Sequence, residues 1–353
     1  LARKLISLAP EGLERVFFSD DGSTAVETAL KMSFQYWHNI GRGHKKKFIC
    51  LDHGYHGDTI GAMSVSGISL FNKVFSPLLF SAFRAPSPYC YRCPFGKTRD
   101  SCDMECIKAL EDVLRKNSDK IAGLILEPIV MAAGGMIVYP VEYLKRAAIL
   151  AKKYNIHLIV DEVATAFGRT GKMFASEHAD IKPDLMCLSK GLTAGYLPLG
   201  ATLASEKIYR AFYGDYIEKK TFYHGHTFTA NPISCSAALE SLMIFEREGT
   251  LGRVGKIAGI FNERLERFRS LEIVGDVRYI GLIGALELVR NKARKTPFGF
   301  EERIGLRIYR EGLKRKLILR PLGNIIYMFL PLCVKEKEIE YIIDNTRSII
   351  TSL

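Results

Sequence analysis

Asp184-Leu-Met-Cys-Leu-Ser-Lys190 is a short apolar run that delivers a lysine. Two other runs have the same form. Ile156-His-Leu-Ile-Val-Asp-Glu162 delivers Asp161, and Gly123-Leu-Ile-Leu-Glu-Pro128 delivers Glu127. Unbroken apolar runs of this length read as strands buried on both faces, as in parallel sheets. In such sheets ligands bind beyond the carboxyl ends of the strands. Three strand ends therefore offer a Lys, an Asp and a Glu to one crevice. A lysine with an aspartate is the pair that pyridoxal phosphate (PLP) requires. The amine attaches the cofactor, and the carboxylate keeps the ring nitrogen protonated.

Outward from these runs, strand-like and helix-like segments alternate, which predicts a doubly wound α/β fold with a mostly parallel sheet sandwiched by helices. A helix is expected from Ser23 through Trp37, a strand over 46–51, and helices over 141–154 and 232–246. The Pro- and Cys-rich stretch 85–106 reads as a loop excursion. After about residue 250 the order becomes helix, short strands, helix, strands, helix. That places a large domain at 1–247 and a smaller α+β domain at 248–353. Leu1-Ala-Arg-Lys-Leu-Ile-Ser-Leu8 reads as the middle of a helix, which points to a segment before Leu1.

The 353 residues suffice for one large core and a smaller one. The net charge of +12 is spread along the chain, densest at Lys45-Lys-Lys47, and reads as a surface that favours anionic ligands. No aromatic-basic module accompanies it, so nucleic acid is not an expected partner. No apolar stretch is long enough for a membrane span and no secretory signal is visible, so a cytoplasmic protein is expected. Of eight cysteines, Cys50, Cys187, Cys235 and Cys333 sit in apolar contexts and are expected buried. Cys90, Cys93, Cys102 and Cys106 cluster with paired spacings. Reduced thiols in a surface excursion, a structural zinc site and disulfides are the three readings.

Further residues carry chemistry. Asp20-Asp-Gly-Ser-Thr-Ala25 is a turn feeding a helix start, where Gly22 and Ser23 can hold a phosphate. Tyr55, in Tyr55-His-Gly-Asp58, is placed to stack on a flat ring. Asp161-Glu-Val-Ala-Thr-Ala-Phe-Gly-Arg-Thr-Gly171 adds Val163 to pack on the other ring face. In His224-Gly-His-Thr-Phe-Thr-Ala-Asn-Pro232, Thr227 can donate its hydroxyl to a phosphate; the two histidines lack an acidic third ligand for a metal. Arg320, after an expected strand at Leu317-Ile-Leu, is a candidate clamp for a substrate carboxylate.

With these stretches in view, the chain resembles the class III, fold-type I PLP aminotransferases. Gly22-Ser-Thr-Ala-Val-Glu27, Lys31-Met-Ser-Phe-Gln-Tyr-Trp37, Tyr55-His-Gly-Asp-Thr-Ile-Gly-Ala-Met-Ser64, Glu127-Pro-Ile-Val-Met-Ala-Ala-Gly-Gly-Met136, Ser189-Lys-Gly191 and Arg320-Pro-Leu-Gly-Asn-Ile-Ile-Tyr327 carry the likeness, which runs along the whole chain. The 29-residue spacing of Asp161 and Lys190 fits. The Trp37 helix, the Tyr55 motif and the Arg320–Tyr327 pair point to the branch that works in biotin synthesis.

The resemblance implies transamination of 8-amino-7-oxononanoate with S-adenosylmethionine, or lysine, as donor. Lys190, Asp161 and Tyr55 would be catalytic. Gly22, Ser23, Glu127, Val163, Thr227 and Phe228 would complete the cofactor site, with Thr227 serving the neighbouring subunit of a homodimer. Arg169, Gly225, Arg320 and Tyr327 would line the substrate pocket, Arg320 binding the oxo-acid carboxylate. Two departures stand out. The family has an amino-terminal segment, absent here, that adds aromatic residues to the pocket. His226 stands where the best-known members have Pro. Another class III enzyme, acting on ω-amino acids or acetylornithine, and an inactive truncated product are the alternatives.

Overall fold

The structure is a computed structural model that describes residues 1–353. It divides into two compact units. The first comprises 1–134, 139–167 and 173–246; the second comprises 135–138, 168–172 and 247–353. The sequence places everything before residue 248 in one domain. The short stretches 135–138 and 168–172 depart from that, because their grouping depends on contacts distant in sequence.

The first unit is built on a seven-stranded sheet. Its strands are β1 (Leu13–Ser19), β2 (Lys47–Leu51), β3 (Phe83–Ala85), β4 (Ile121–Leu126), β5 (His157–Asp161), β6 (Leu185–Leu188) and β7 (Gly200–Ser205). Their order is β1-β7-β6-β5-β4-β2-β3. Neighbours pair in parallel except β7, which runs against both β1 and β6. Every residue of β4, β5 and β6 is buried, the state that unbroken apolar runs predict. Helix α1 (Ala2–Leu8) leads into β1, and α2 (Gly22–Asn39) follows it. The apolar face of α2 buries Ala25, Val26, Ala29, Leu30 and Trp37. Trp37 donates its indole N–H to the Ala122 carbonyl at 2.8 Å, so the largest side chain of that face carries no unpaired polar group into the core. Helices α3 (Glu105–Asn117), α4 (Val141–Lys153) and α5 (Pro232–Arg247) are the others that matter here.

The second unit packs α6 (Thr250–Glu266), α7 (Ile304–Lys314) and α8 (Glu336–Thr351) with an antiparallel sheet. Its strands are β8 (Val274–Ile280), β9 (Ile283–Asn291), β10 (Thr296–Pro297), β11 (Pro321–Leu322) and β12 (Ile325–Phe329). Phe261, Leu265, Leu286, Ile308, Ile326 and Ile343 belong to one buried cluster. The strand expected at 317–319 is a correction. Leu317 and Leu319 are buried and Ile318 is exposed, a strand-like alternation, yet the ladder begins only at Pro321.

Cys50 and Cys187 are buried, whereas Cys235 is half-buried and Cys333 exposed, against expectation. Local apolar context does not fix burial on a helix or turn that faces outward. Cys90, Cys93, Cys102 and Cys106 are free thiols lining one cavity of about 270 Å³. No three His, Cys, Asp or Glu side chains stand close enough to share a metal ion, so the zinc reading finds no geometry here. No helix is long and apolar enough to cross a membrane.

Candidate functional site

Five chain segments meet at one edge of the first sheet because β1, β2, β4, β5 and β6 point the same way. Beyond β1 lie Gly22 and Ser23; beyond β2, Tyr55; beyond β4, Glu127. Asp161 is the last residue of β5 and pairs in register with Cys187 of β6, three residues short of Lys190. A parallel register thus brings the acid and the amine to neighbouring strand ends. Lys190 is exposed and has φ +46°, a left-handed conformation that costs a non-glycine residue about 1–3 kcal/mol.

The helix start is built as an anion cradle. Asp21 caps α2 by accepting from the Thr24 N–H at 2.9 Å, while the Thr24 hydroxyl accepts from the Asp21 N–H at 3.0 Å. That capping box uses Thr24 and leaves the Gly22 and Ser23 N–H groups at the positive end of the helix. A side chain on Gly22 would stand 2.6 Å from Val163 Cγ1, so bare backbone is required there. Gly57, at φ +126°, would set a Cβ 2.2 Å from Ser23 Oγ. Ser23 Oγ accepts from the Asp58 N–H at 3.3 Å.

Asp161 is buried and accepts two hydrogen bonds. His56 Nδ1 lies 2.8 Å from Oδ2, and the Val163 N–H lies 3.1 Å from Oδ1. Both contacts fix the orientation of the carboxylate. His56 is itself fixed, its N–H donating to Ser66 Oγ at 2.9 Å. Glu127 accepts from the Tyr55 N–H at 3.0 Å and the Ala132 N–H at 2.9 Å, and so pins the turn that carries Tyr55. Tyr55 is half-buried, and its ring meets Phe71 edge-on at 6.0 Å. Burial lifts the Tyr55 hydroxyl to about 12.

Burial also raises Glu127, to about 7. A carboxyl raised in the fold binds more protons folded than unfolded between pH 4.5 and 7. Its contribution is therefore present on the acid side and is lost as pH rises through 7. In the cofactor-free protein, the stability of the parent relative to Glu127→Gln is expected to fall by about 3 kcal/mol from pH 4.5 to 7. Denaturant melts at several pH values measure it; a pH-independent difference would contradict the assignment.

Thr227 and Phe228 lie exposed on the loop before α5, with Gly225. His226 anchors that loop to the turn before α2: Nε2 stands 3.3 Å from Asp20 Oδ2. His224 Nδ1 meets Lys31 Nζ at 2.9 Å. The remaining expected residues belong to the second unit. Arg169 donates to the Leu330 carbonyl and lies 4.2 Å from the Phe329 ring centre. Desolvation lowers it to about 10, and no carboxylate side chain pairs with it. Arg320 is exposed without an ion-pair partner, and Tyr327 is half-buried on β12. The first-unit residues are thus gathered at one sheet edge; Arg169, Arg320 and Tyr327 are ordered within their own unit. His56 was not foreseen, although its place beside Tyr55 was the available signal.

These features fit PLP: bare N–H groups at a helix start, an aromatic on a pinned turn, a doubly hydrogen-bonded buried carboxylate and an accessible lysine. Comparison with known proteins gives the class. The class-III aminotransferase family matches residues 1–350, and the chain belongs to that family. It is a PLP-dependent aminotransferase of the fold-type I architecture. The chain is 51% identical over 346 residues to the adenosylmethionine-8-amino-7-oxononanoate aminotransferase of Geobacter sulfurreducens, covering 98% of this chain and 76% of that one. It is 45% identical over 354 residues to the enzyme of the same name from Aquifex aeolicus, covering 100% and 78%. Among solved structures, the aminotransferase of that name from Methanocaldococcus jannaschii superposes with a TM-score of 0.93 at 42% identity, over 99% of this chain and 78% of that one. An omega transaminase from Pseudomonas jessenii, solved in complex with PMP, gives 0.92 at 31% identity over 99% and 78%.

Proposed function

We propose that this chain moves an amino group onto 8-amino-7-oxononanoate, with S-adenosylmethionine as donor. Those compounds are named for its relatives of 42–51% identity. The observation that supports a working site is the register that sets Asp161 and Lys190 at neighbouring strand ends.

Gly22 and Ser23 would hold the cofactor phosphate through N–H groups, Asp161 would pair with the ring nitrogen, and Tyr55 and Val163 would flank the ring. Glu127 fixes Tyr55. When bound, PLP supplies the electron sink that makes a Cα proton acidic. Lys190 Nζ would hold the cofactor between turnovers and is the group placed to move a proton at the donor Cα. Arg320, with Tyr327 of the same unit, would bind the oxo-acid carboxylate; Arg169 and Gly225 are the further substrate-binding candidates. Thr227 and Phe228 would serve the cofactor of a second copy. The exposed apolar groups Leu70, Val74, Leu78, Tyr216, Ile217 and Phe228 support a homodimer that covers them. A cytoplasmic setting fits this chemistry.

The test is an assay of the PLP-loaded protein on 8-amino-7-oxononanoate with S-adenosylmethionine or lysine, beside ω-amino acids and acetylornithine. Turnover of the first acceptor supports the reading, and the donor that works is identified directly. Turnover only of ω-amino acids or acetylornithine would replace it with the alternative class III activity. Arg320→Ala is expected to raise KM for the oxo-acid about 10- to 100-fold with kcat little changed, since a charge-assisted hydrogen bond is lost. An unchanged KM would remove Arg320 from the clamp.

A further inference from the structure

Four thiols share one cavity in the excursion between β3 and α3. Cys90, Cys93, Cys102 and Cys106 line it together with Lys97 and Arg99, and its volume is about 270 Å³. All four cysteines are free and half-buried. None is among the residues proposed to act on cofactor or substrate. Their surroundings divide them into two pairs. Cys102 Sγ lies 3.3 Å from Glu105 Oε2 and accepts from the Met104 N–H at 3.2 Å. Burial, and then the Glu105 carboxylate, raise the Cys102 thiol. Burial pushes the Cys106 thiol up to about 11. A thiol attacks as its thiolate, so these two are poor nucleophiles. Cys90 and Cys93 are placed differently. Tyr91 and Arg92 form a turn between them. The first and fourth residues of a turn have Cα atoms within about 7 Å of each other. A disulfide spans about 4.4–6.8 Å between Cα atoms, so this pair can close with little backbone movement. A second turn holds Cys93, whose carbonyl accepts from the Gly96 N–H at 3.0 Å. Arg92 lies within the first turn, and Lys97 and Arg99 stand on the cavity wall. Cations so placed favour a thiolate and draw anions from solution.

We infer that this cavity is a thiol–disulfide exchange site, with Cys90 and Cys93 as the exchanging pair and a small, carboxylate-bearing disulfide as the ligand, drawn in by Lys97 and Arg99. One thiolate of the pair attacks a ligand sulfur. A bond forms between protein and ligand sulfurs as the ligand's own S–S bond breaks, and the departing thiolate takes up the proton the cysteine lost. The other cysteine then attacks the mixed disulfide in the same way. The Cys90–Cys93 bond forms, and the second half of the ligand leaves as a thiol. The pair gives up two electrons and two protons, and the ligand receives both. The site stands apart from the transamination reading and does not depend on it.

The experiment treats the reduced, PLP-loaded full chain with one of two disulfides of similar size and opposite charge. Dithiodipropionate is the anionic probe. The disulfide of thiocholine is the cationic one, and it has no primary amine to react with PLP. Peptide mass spectrometry maps each new disulfide against time. Cys333, exposed and outside the cavity, reports how an ordinary surface thiol reacts with each probe. Dithiodipropionate is expected to close a Cys90–Cys93 bond and release two thiols for each bond formed. Relative to Cys333, that rate is expected to be at least about 10-fold higher with the anionic probe than with the cationic one, because a positive field concentrates anions locally. Changing both Lys97→Ala and Arg99→Ala is expected to bring the two relative rates together. Both side chains are exposed, so the fold is not at risk. Absence of the Cys90–Cys93 bond would overturn the exchange site. A bond mapped instead to Cys102 and Cys106, or across the two pairs, would overturn the assignment of the exchanging pair. Equal relative rates with the two probes in the parent chain would overturn the anionic ligand.

Discussion

Lys190→Ala folds as the parent does and loses turnover by at least about 10²- to 10⁴-fold, the contribution of a positioned proton-transfer group. The residue is exposed, so truncation opens no buried cavity. Alanine meets the same backbone demand at φ +46° as lysine, so the turn is not reshaped. The loss is therefore one of chemistry, seen in kcat, while a circular dichroism melt stays close to the parent's. A small primary amine added from solution restores part of the rate. It supplies the proton-transfer group but not the effective concentration that tethering gives. Substantial activity in the variant without added amine would remove Lys190 from the mechanism.

Asp161→Asn acts differently. A carboxylate near a cation holds the neighbouring proton by about 1–3 pKa units. A neutral amide releases it, so the reactive, ring-protonated population falls by about 10- to 1,000-fold and kcat with it. The amide also has a hydrogen-bonding fault of its own. Asp161 accepts on both oxygens, from His56 and from the Val163 N–H, and asparagine can accept on only one. One buried donor is left facing an NH₂ group, at a cost of about 1–3 kcal/mol. The variant is thus expected to be slower and less stable, where Lys190→Ala is only slower. Wild-type kcat in Asp161→Asn would refute the ring-nitrogen role.

The apolar runs that end in Lys190, Asp161 and Glu127 were readable because strands buried on both faces leave an unbroken hydrophobic signature. The capped start of α2 was readable for a similar local reason: its turn, cap and amphipathic face are contiguous. What stayed hidden depends on partners remote in the chain. His56 sits 105 residues from Asp161, and only the sheet order brings β2 and β5 near enough for the bond. The grouping of 135–138 and 168–172 with the second unit has the same origin. Leu317 and Leu319 misled in another way. Burial alternates as in a strand, but the backbone has no ladder partner before Pro321. Cys333 shows that apolar neighbours do not bury a thiol whose own side of the turn faces water.

The left-handed backbone at Lys190 has a practical edge for protein engineering. Glycine accepts that conformation without penalty, so selection of this scaffold for heat resistance alone would favour losing the lysine. Stabilisation campaigns that ignore catalysis would then harvest robust but silent variants from this position. Under the proposed role, the lysine would be kept for activity at a cost in robustness, written in a single dihedral angle.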